Sequence, residues 1–222
     1  MTGASSGLGG AIAAAFAAEG AAVCGLARRF ARGPLPLPLP AGAVTAAHLD
    51  VTDEREVADR FAELRGVDVV VACAGVGHFG PIASASAADL RAMLEVHIVG
   101  SFLVARALLG QEARARARTR HLINISSHVA FRTFAGCGAY TAAKEGQRGL
   151  SRVLTEEARA HGVRVTTVYP GAVDTPIWDG RPEFDRAAML RPADVAGLLV
   201  EIVVRPELAV EELTLMPPSG SL

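Results

Sequence analysis

The sequence predicts a doubly wound α/β fold, a parallel sheet with helices on both faces in three α/β/α layers and a single domain. Three observations carry this. Short β-type runs alternate with helical runs along the 222 residues. One run, Val67 to Cys73, is apolar at every position but Asp68, close to what a strand covered on both faces requires. The stretch Met1-Thr2-Gly3-Ala4-Ser5-Ser6-Gly7-Leu8-Gly9-Gly10 leads straight into an alanine-rich helix, which is the layout of a phosphate-cradling turn.

Taken in order, Gly7 to Ala18 predicts a helix closed by Gly20, and Ala22 to Ala27 a short buried strand. The alternating prolines of Gly33 to Pro40 forbid a helix, and a surface crossover is favoured over a proline-rich partner motif. Val44 to Asp50 reads as a strand, and Thr52 as the cap of a helix with Asp53, Glu54 and Glu56 in its first turn. Beyond Val67 to Cys73, a long helix is predicted over Ala88 to Leu109 and a strand over His121 to Ser126. Ala139 to Ala160 is a second long helix ending at Gly162. Val163 to Tyr169 is a strand stopped by Pro170-Gly171, and a helix at Ala193 to Val204 and a strand at Glu212 to Met216 close the chain. Arg114, Arg116, Arg118 and Arg120 lack interleaved aromatics, so they read as a solvated turn rather than a phosphate grip.

Hydrophobic residues make up 50% and charged residues 20%, which suits a globular chain. A net charge of −1 gives no general field toward nucleic acid or an anionic membrane. The apolar runs are broken by charge or glycine, so no membrane span is expected, and the first residues lack a basic-then-apolar leader pattern. Cys24, Cys73 and Cys137 are odd in number and far apart, which predicts free thiols and no metal site. A cytoplasmic protein is expected.

The chemistry concentrates at Tyr140-Thr141-Ala142-Ala143-Lys144, with Ser127 at the end of the preceding strand. Positions i and i+4 share a helix face, so Tyr140 and Lys144 project together. Lys144 is the only lysine among 22 basic residues, which marks a position where arginine will not serve. Its ammonium is expected to lower the phenol pKa by roughly three units, about 4 kcal/mol of differential stabilisation. That would suit general acid–base work. Pro170-Gly171-Ala172-Val173-Asp174-Thr175 follows a strand at the edge of the sheet where such folds bind ligands.

In these motifs the sequence resembles the short-chain dehydrogenase/reductase family over nearly its whole length, with a Rossmann-type fold. Thr2 to Gly9 is similar to the family's TGxxxGxG loop, Tyr140 and Lys144 to its YxxxK site, Asn124 to Ser127 to the serine-bearing strand, and Pro170 to Thr175 to its PGxVxT turn. The resemblance implies an oxidoreductase interconverting an alcohol and a ketone or aldehyde by hydride transfer. Tyr140 would move the proton, Ser127 orient the substrate oxygen, and Lys144 hold the nicotinamide ribose. Gly3, Ser5, Ser6, Gly7, Leu8 and Gly9 would hold the pyrophosphate, Asp50 and Val51 the adenine, and Ala74 and Gly75 further backbone contacts. Pro170, Gly171, Val173 and Thr175 would hold the nicotinamide end. Where NAD-using members tend to carry an acidic residue, Ala27 is followed by Arg28 and Arg29, so NADP(H) is expected over NAD(H). A homodimer or homotetramer built on the two long helices is also implied.

The sequence departs from the family in three places. Ala72-Cys73-Ala74-Gly75 stands where Asn-Asn-Ala-Gly is usual, removing two side-chain amides. His97 stands where an active-site asparagine is usual, and is open to a catalytic or a structural role. Most consequentially, Met1 and Thr2 are too short to form the central strand that should precede the turn, between the strands at Ala22 and Val67. Each backbone group left buried and unpaired there would cost about 1–3 kcal/mol. The expectation is a misplaced start with an upstream strand. The alternative is an impaired or non-catalytic nucleotide-binding protein. Phe131, Phe134 and Trp178 are expected beside a partly apolar substrate, with Ile177 to Arg191 a possible lid.

Overall fold

A computed structural model describes residues 1–33, 35, 39–64, 66–111 and 120–220. Part of the proline-rich crossover and Arg114, Arg116 and Arg118 of the basic series therefore lie outside the described residues. The elements are α1 (Gly7–Ala18), β1 (Ala22–Leu26), β2 (Ala43–Ala47), α2 (Glu54–Glu63), β3 (Val69–Ala72), α3 (Ala87–Leu94), α4 (Gly100–Leu109), β4 (Arg120–Ile125), α5 (Gly138–Ala158), β5 (Val163–Pro170), α6 (Pro192–Val203) and β6 (Glu212–Leu215). All pairings are parallel: β1 with β2, and β3-β4-β5-β6 as a second ladder.

The three layers follow from the alternation of side chains along each strand. Val70, Leu122 and Val165 face one side and pack with Val57 and Phe61 of α2, Leu103 and Leu108 of α4, and Leu154 of α5. Val71, Ile123 and Val168 face the other side, against Leu8 and Ile12 of α1 and Val195 and Leu199 of α6. Strands clothed on both faces are largely apolar, with His121 and Asn124 of β4 and Thr166 and Thr167 of β5 as buried polar positions.

Between β1 and β3, where a central strand would lie, the sheet is joined only by Met1 to Ala4. Leu26 N donates to Met1 O (2.8 Å), Ala4 N to Leu26 O (3.3 Å) and Thr2 N to Val71 O (2.9 Å). The Met1 amino group donates to Cys24 O at 2.8 Å. Thr2 Oγ1 accepts from both Cys73 N (3.1 Å) and Ala74 N (3.2 Å). Thus the loop lacking the usual amides is held by a threonine hydroxyl instead.

Other details differ from the sequence expectation. The cap of α2 is Asp53, whose carboxylate accepts from Glu56 N (2.9 Å); the Thr52 hydroxyl is spent on Asp50 (2.8 Å). The long helix from Ala87 to Leu109 is interrupted at Glu95–Val99 by a π-helical turn containing His97. This run is also long and apolar enough to cross a membrane by length and composition, contrary to the sequence expectation. Half of its apolar window is buried inside the protein, as in the core helix of a folded domain. Cys24, Cys73 and Cys137 are free thiols.

Thr2→Val should leave the Cys73 and Ala74 amides without their acceptor and lower stability in urea by about 2 kcal/mol. Thr2→Ser, which keeps the oxygen, should lie much closer to the parent.

Candidate active site

The carboxyl ends of the strands open into a cleft of about 870 Å³. Its floor is the glycine turn before α1. Gly3 has φ +71°, and a Cβ there would fall 2.6 Å from Cys73 O; a Cβ on Gly9 would fall 2.2 Å from Gly3 O. Only glycine fits either position, so bare backbone faces the cleft. Ser6, the N-cap of α1, makes no side-chain bond to the first-turn amides, which stay available at the positive end of the helix. This cradle fits a phosphate group.

Gly3, Ser5, Ser6, Gly7, Leu8 and Gly9 all line the cleft, as do Arg28, Val51, Ala74 and Gly75. Pro170, Gly171, Val173 and Thr175 line it from the β5 side, where Thr175 lies 3.2 Å from the position of a Cβ on Gly7. Asp50 does not reach the wall. Its carboxylate turns back to accept from Thr52 N at 3.0 Å. Sequence reasoning gave Arg29 less weight than the structure does: its guanidinium donates to Ser5 Oγ (3.1 Å) and to Ser6 Oγ, so it sits against the turn itself.

At the other end stand Ser127, Tyr140 and Lys144. Ser127 leaves the end of β4, and its hydroxyl accepts from Val129 N (3.3 Å). Tyr140 and Lys144 lie one turn apart near the start of α5, with Lys144 Nζ 5.7 Å from the phenol ring centre. Lys144 is 3% exposed. Its ammonium donates to Ile125 O (3.2 Å) and Gln147 Oε1 (3.0 Å), while Gln147 Nε2 donates to Ser101 Oγ (2.9 Å). Gln147 and Ser101 were missed from sequence. The available signal was a glutamine three residues beyond Lys144, on the buried face of an amphipathic helix.

The electrostatics reverse one expectation. Burial pushes the Tyr140 phenol well above its ordinary value, with the nearby Cys137 thiol adding to the rise, and a hydrogen bond with Ser127 pulls only partly the other way. Burial likewise lowers Lys144 to about 7. Its charge is therefore partial near neutrality and directed at Ile125 and Gln147, so it does not make the phenol acidic. Cys73, also on the cleft wall, is raised to about 11 by burial.

His97 is 1% exposed. Burial, then the Lys144 charge, lowers its pKa to about 3, so the imidazole is neutral. Nε2 lies 2.7 Å from Val76 O and donates to it, leaving Nδ1 without a partner. The ring stands edge-on to Tyr140 at 5.5 Å and presses on Gly75, where a Cβ would fall 2.9 Å from Cε1. A neutral ring held this way ties the loop after β3 to the π-helical turn. Of the aromatic residues expected at the substrate end, Phe134 and Trp178 line the cleft. Phe131 does not, packing instead on Tyr169 (4.6 Å) and beneath Arg148 (4.0 Å). The Ile177 to Arg191 segment is pinned by Arg186, which bridges Asp174 (2.5 Å) and Asp179 (2.7 Å).

A doubly wound sheet with a bare glycine turn and a polar cluster across one cleft defines a nucleotide-binding protein of the Rossmann type. A family model described as short chain dehydrogenase matches residues 1–185. The chain is 37% identical over 219 residues to 1-deoxy-11-beta-hydroxypentalenate dehydrogenase of Streptomyces exfoliatus, covering 90% of this chain and 77% of that one. It is 33% identical over 181 residues to sepiapterin reductase of Chlorobaculum tepidum, covering 81% and 73% respectively. An alcohol dehydrogenase from the archaeon Thermococcus sibiricus, solved with 5-hydroxy-NADP, superposes with a TM-score of 0.83 at 28% identity, over 98% of this chain and 95% of that one. The chain belongs to the short-chain dehydrogenase family of oxidoreductases.

Because Lys144 is the only lysine, ¹³C-lysine labelling gives one side-chain signal. In the ligand-free protein it should titrate near pH 7, and Gln147→Leu, which removes an acceptor from the ammonium, should move the midpoint lower. The unfolded chain holds this proton up to about pH 10.5. Lys144→Met should therefore stabilise the fold most below pH 7, with the gain shrinking toward pH 10.5.

Proposed function

We propose that the chain is an NADP(H)-dependent oxidoreductase that interconverts an alcohol and a ketone or aldehyde. The observation that carries this is the convergence of Ser127, Tyr140 and Lys144 on the cleft that the glycine turn and Arg28 and Arg29 close at the other end. The bare turn and the α1 N-terminus would hold the pyrophosphate, Arg28 and Arg29 the 2′-phosphate, and Val51 the adenine. Ala74 and Gly75 would add backbone contacts, Lys144 would hold the nicotinamide ribose, and Pro170 to Thr175 the nicotinamide. A nicotinamide held there would supply the hydride chemistry that interconverts the alcohol and the carbonyl.

The protein's own part is the proton. Ser127 orients the substrate oxygen by a hydrogen bond. Tyr140, whose burial favours the protonated phenol, gives its phenolic proton to that oxygen in reduction; in oxidation the phenolate form would take the proton of the alcohol. His97 would hold the loop after β3 in place, its neutral imidazole bonded to Val76 O. The same reading includes a cytoplasmic location and a homodimer or homotetramer through α4 and α5. Phe102 of α4 and Val153 of α5 are exposed, which suits such a face.

Oxidation of NADPH with a panel of ketones, followed by the loss of reduced-nicotinamide absorbance, tests the reading. Tyr140→Phe should lower kcat by about 10²-fold or more while NADPH still binds. Nucleotide binding with no turnover on any carbonyl would favour a non-catalytic nucleotide-binding protein. Arg28→Asp, and more so with Arg29→Ser, should cut the preference for NADPH over NADH by about tenfold or more. An unchanged preference would remove the arginines from cofactor choice.

A further inference from the structure

Beyond Tyr140, the cleft is lined by the rings of Phe79, Phe134, Trp178 and Phe184, with His128 and Arg132 also on its wall. Phe79 lies 5.2 Å from Tyr140 at an interplanar angle of 46°, 6.5 Å from Phe134 at 9° and 6.2 Å from Trp178 at 23°, and the Arg181 guanidinium stands 4.2 Å from its ring centre. Trp178 is fixed by its indole N–H, which donates to Val173 O at 3.0 Å. Gly77 makes room for this wall: a Cβ there would fall 2.8 Å from both Phe79 Cε2 and Ile177 Cδ1. The hydroxyls of Ser127 and Tyr140 line the same cleft. Phe79 was not singled out from sequence, because it comes from the loop between β3 and α3 and meets the others only in the fold.

We propose that this end of the cleft is a slot for a flat apolar ring, and that the substrate is an aryl carbinol or aryl ketone whose ring lies against Phe79 and Trp178. This rests on the oxidoreductase reading above. Ring faces of similar orientation select planarity, because aromatic pairs gain from offset stacking what a puckered ring of equal size does not. A saturated or short-chain carbonyl compound would wet the same walls without that gain.

Trp178 is the only tryptophan in the chain, so its fluorescence reports the slot without any turnover. The protein would be titrated, alone and with NADPH (which cannot react with an alcohol), using 1-phenylethanol, 1-cyclohexylethanol and 2-butanol. The phenyl compound should bind about fivefold or more tighter than the cyclohexyl compound, and 2-butanol weakest of all. Phe79→Leu keeps an apolar side chain and should reduce the phenyl-over-cyclohexyl advantage to under about twofold, with the melting transition checked to confirm folding. Equal binding of the phenyl and cyclohexyl compounds, or no response to any of the three, overturns the slot. So does a Phe79→Leu variant that is folded and keeps the full advantage. Selective phenyl binding without oxidation of 1-phenylethanol by NADP⁺ would instead leave the slot standing and count against the oxidoreductase reading.

Discussion

The fold depends on the hydrogen bonds of a four-residue seam that runs between the two parallel ladders. Met1 to Ala4 bond to β1 on one side and to β3 on the other. Thr2 adds a side-chain oxygen that takes two amides of the loop after β3. Both functional loops hang on this seam. The glycine turn begins at its last residues, and Gly3 lies so close to Cys73 that no side chain fits between them. If the seam shifts, the phosphate cradle and the Ala74-Gly75 wall shift with it.

The second governing quantity is burial at the head of α5. A lysine in the interior loses much of its preference for the charged form, and a tyrosine there loses much of its acidity. Here burial is the largest cause of both shifts, raising Tyr140 and lowering Lys144. The ammonium is directed by Ile125 and Gln147, and Gln147 is itself oriented by Ser101 of α4. The orientation of the Lys144 ammonium therefore depends on packing between α4 and α5. The π-helical turn between α3 and α4 belongs to the same frame, since it brings His97 under Gly75 and edge-on to Tyr140.

Much of the architecture was legible because the physics that forms each element is local. Doubly covered strands are rich in β-branched and apolar residues, so Val67 to Cys73 and Val163 to Tyr169 stood out, within a residue or two of β3 and β5. Gly20 and Gly162 mark helix exits and both adopt positive φ. What failed depended on contacts. Thr52 and Asp53 are both competent caps, and only the position of Asp50, which takes the Thr52 hydroxyl, decides between them. Phe131 and Phe134 are alike in sequence, yet one packs on Tyr169 and the other lines the cleft.

By itself, then, the sequence determined the order of elements, the glycine turn, and the spacing that sets Ser127, Tyr140 and Lys144 toward one edge of the sheet. These follow from backbone periodicity and from which residues tolerate a tight turn, both short-range properties. Only the tertiary structure decided the proton affinities of Tyr140 and Lys144, the neutral state of His97, the bonding of Arg29 to the turn and the aromatic wall around Phe79. Each is set by how much water the surrounding elements exclude and by which distant groups they bring within reach, and neither is encoded in spacing along the chain.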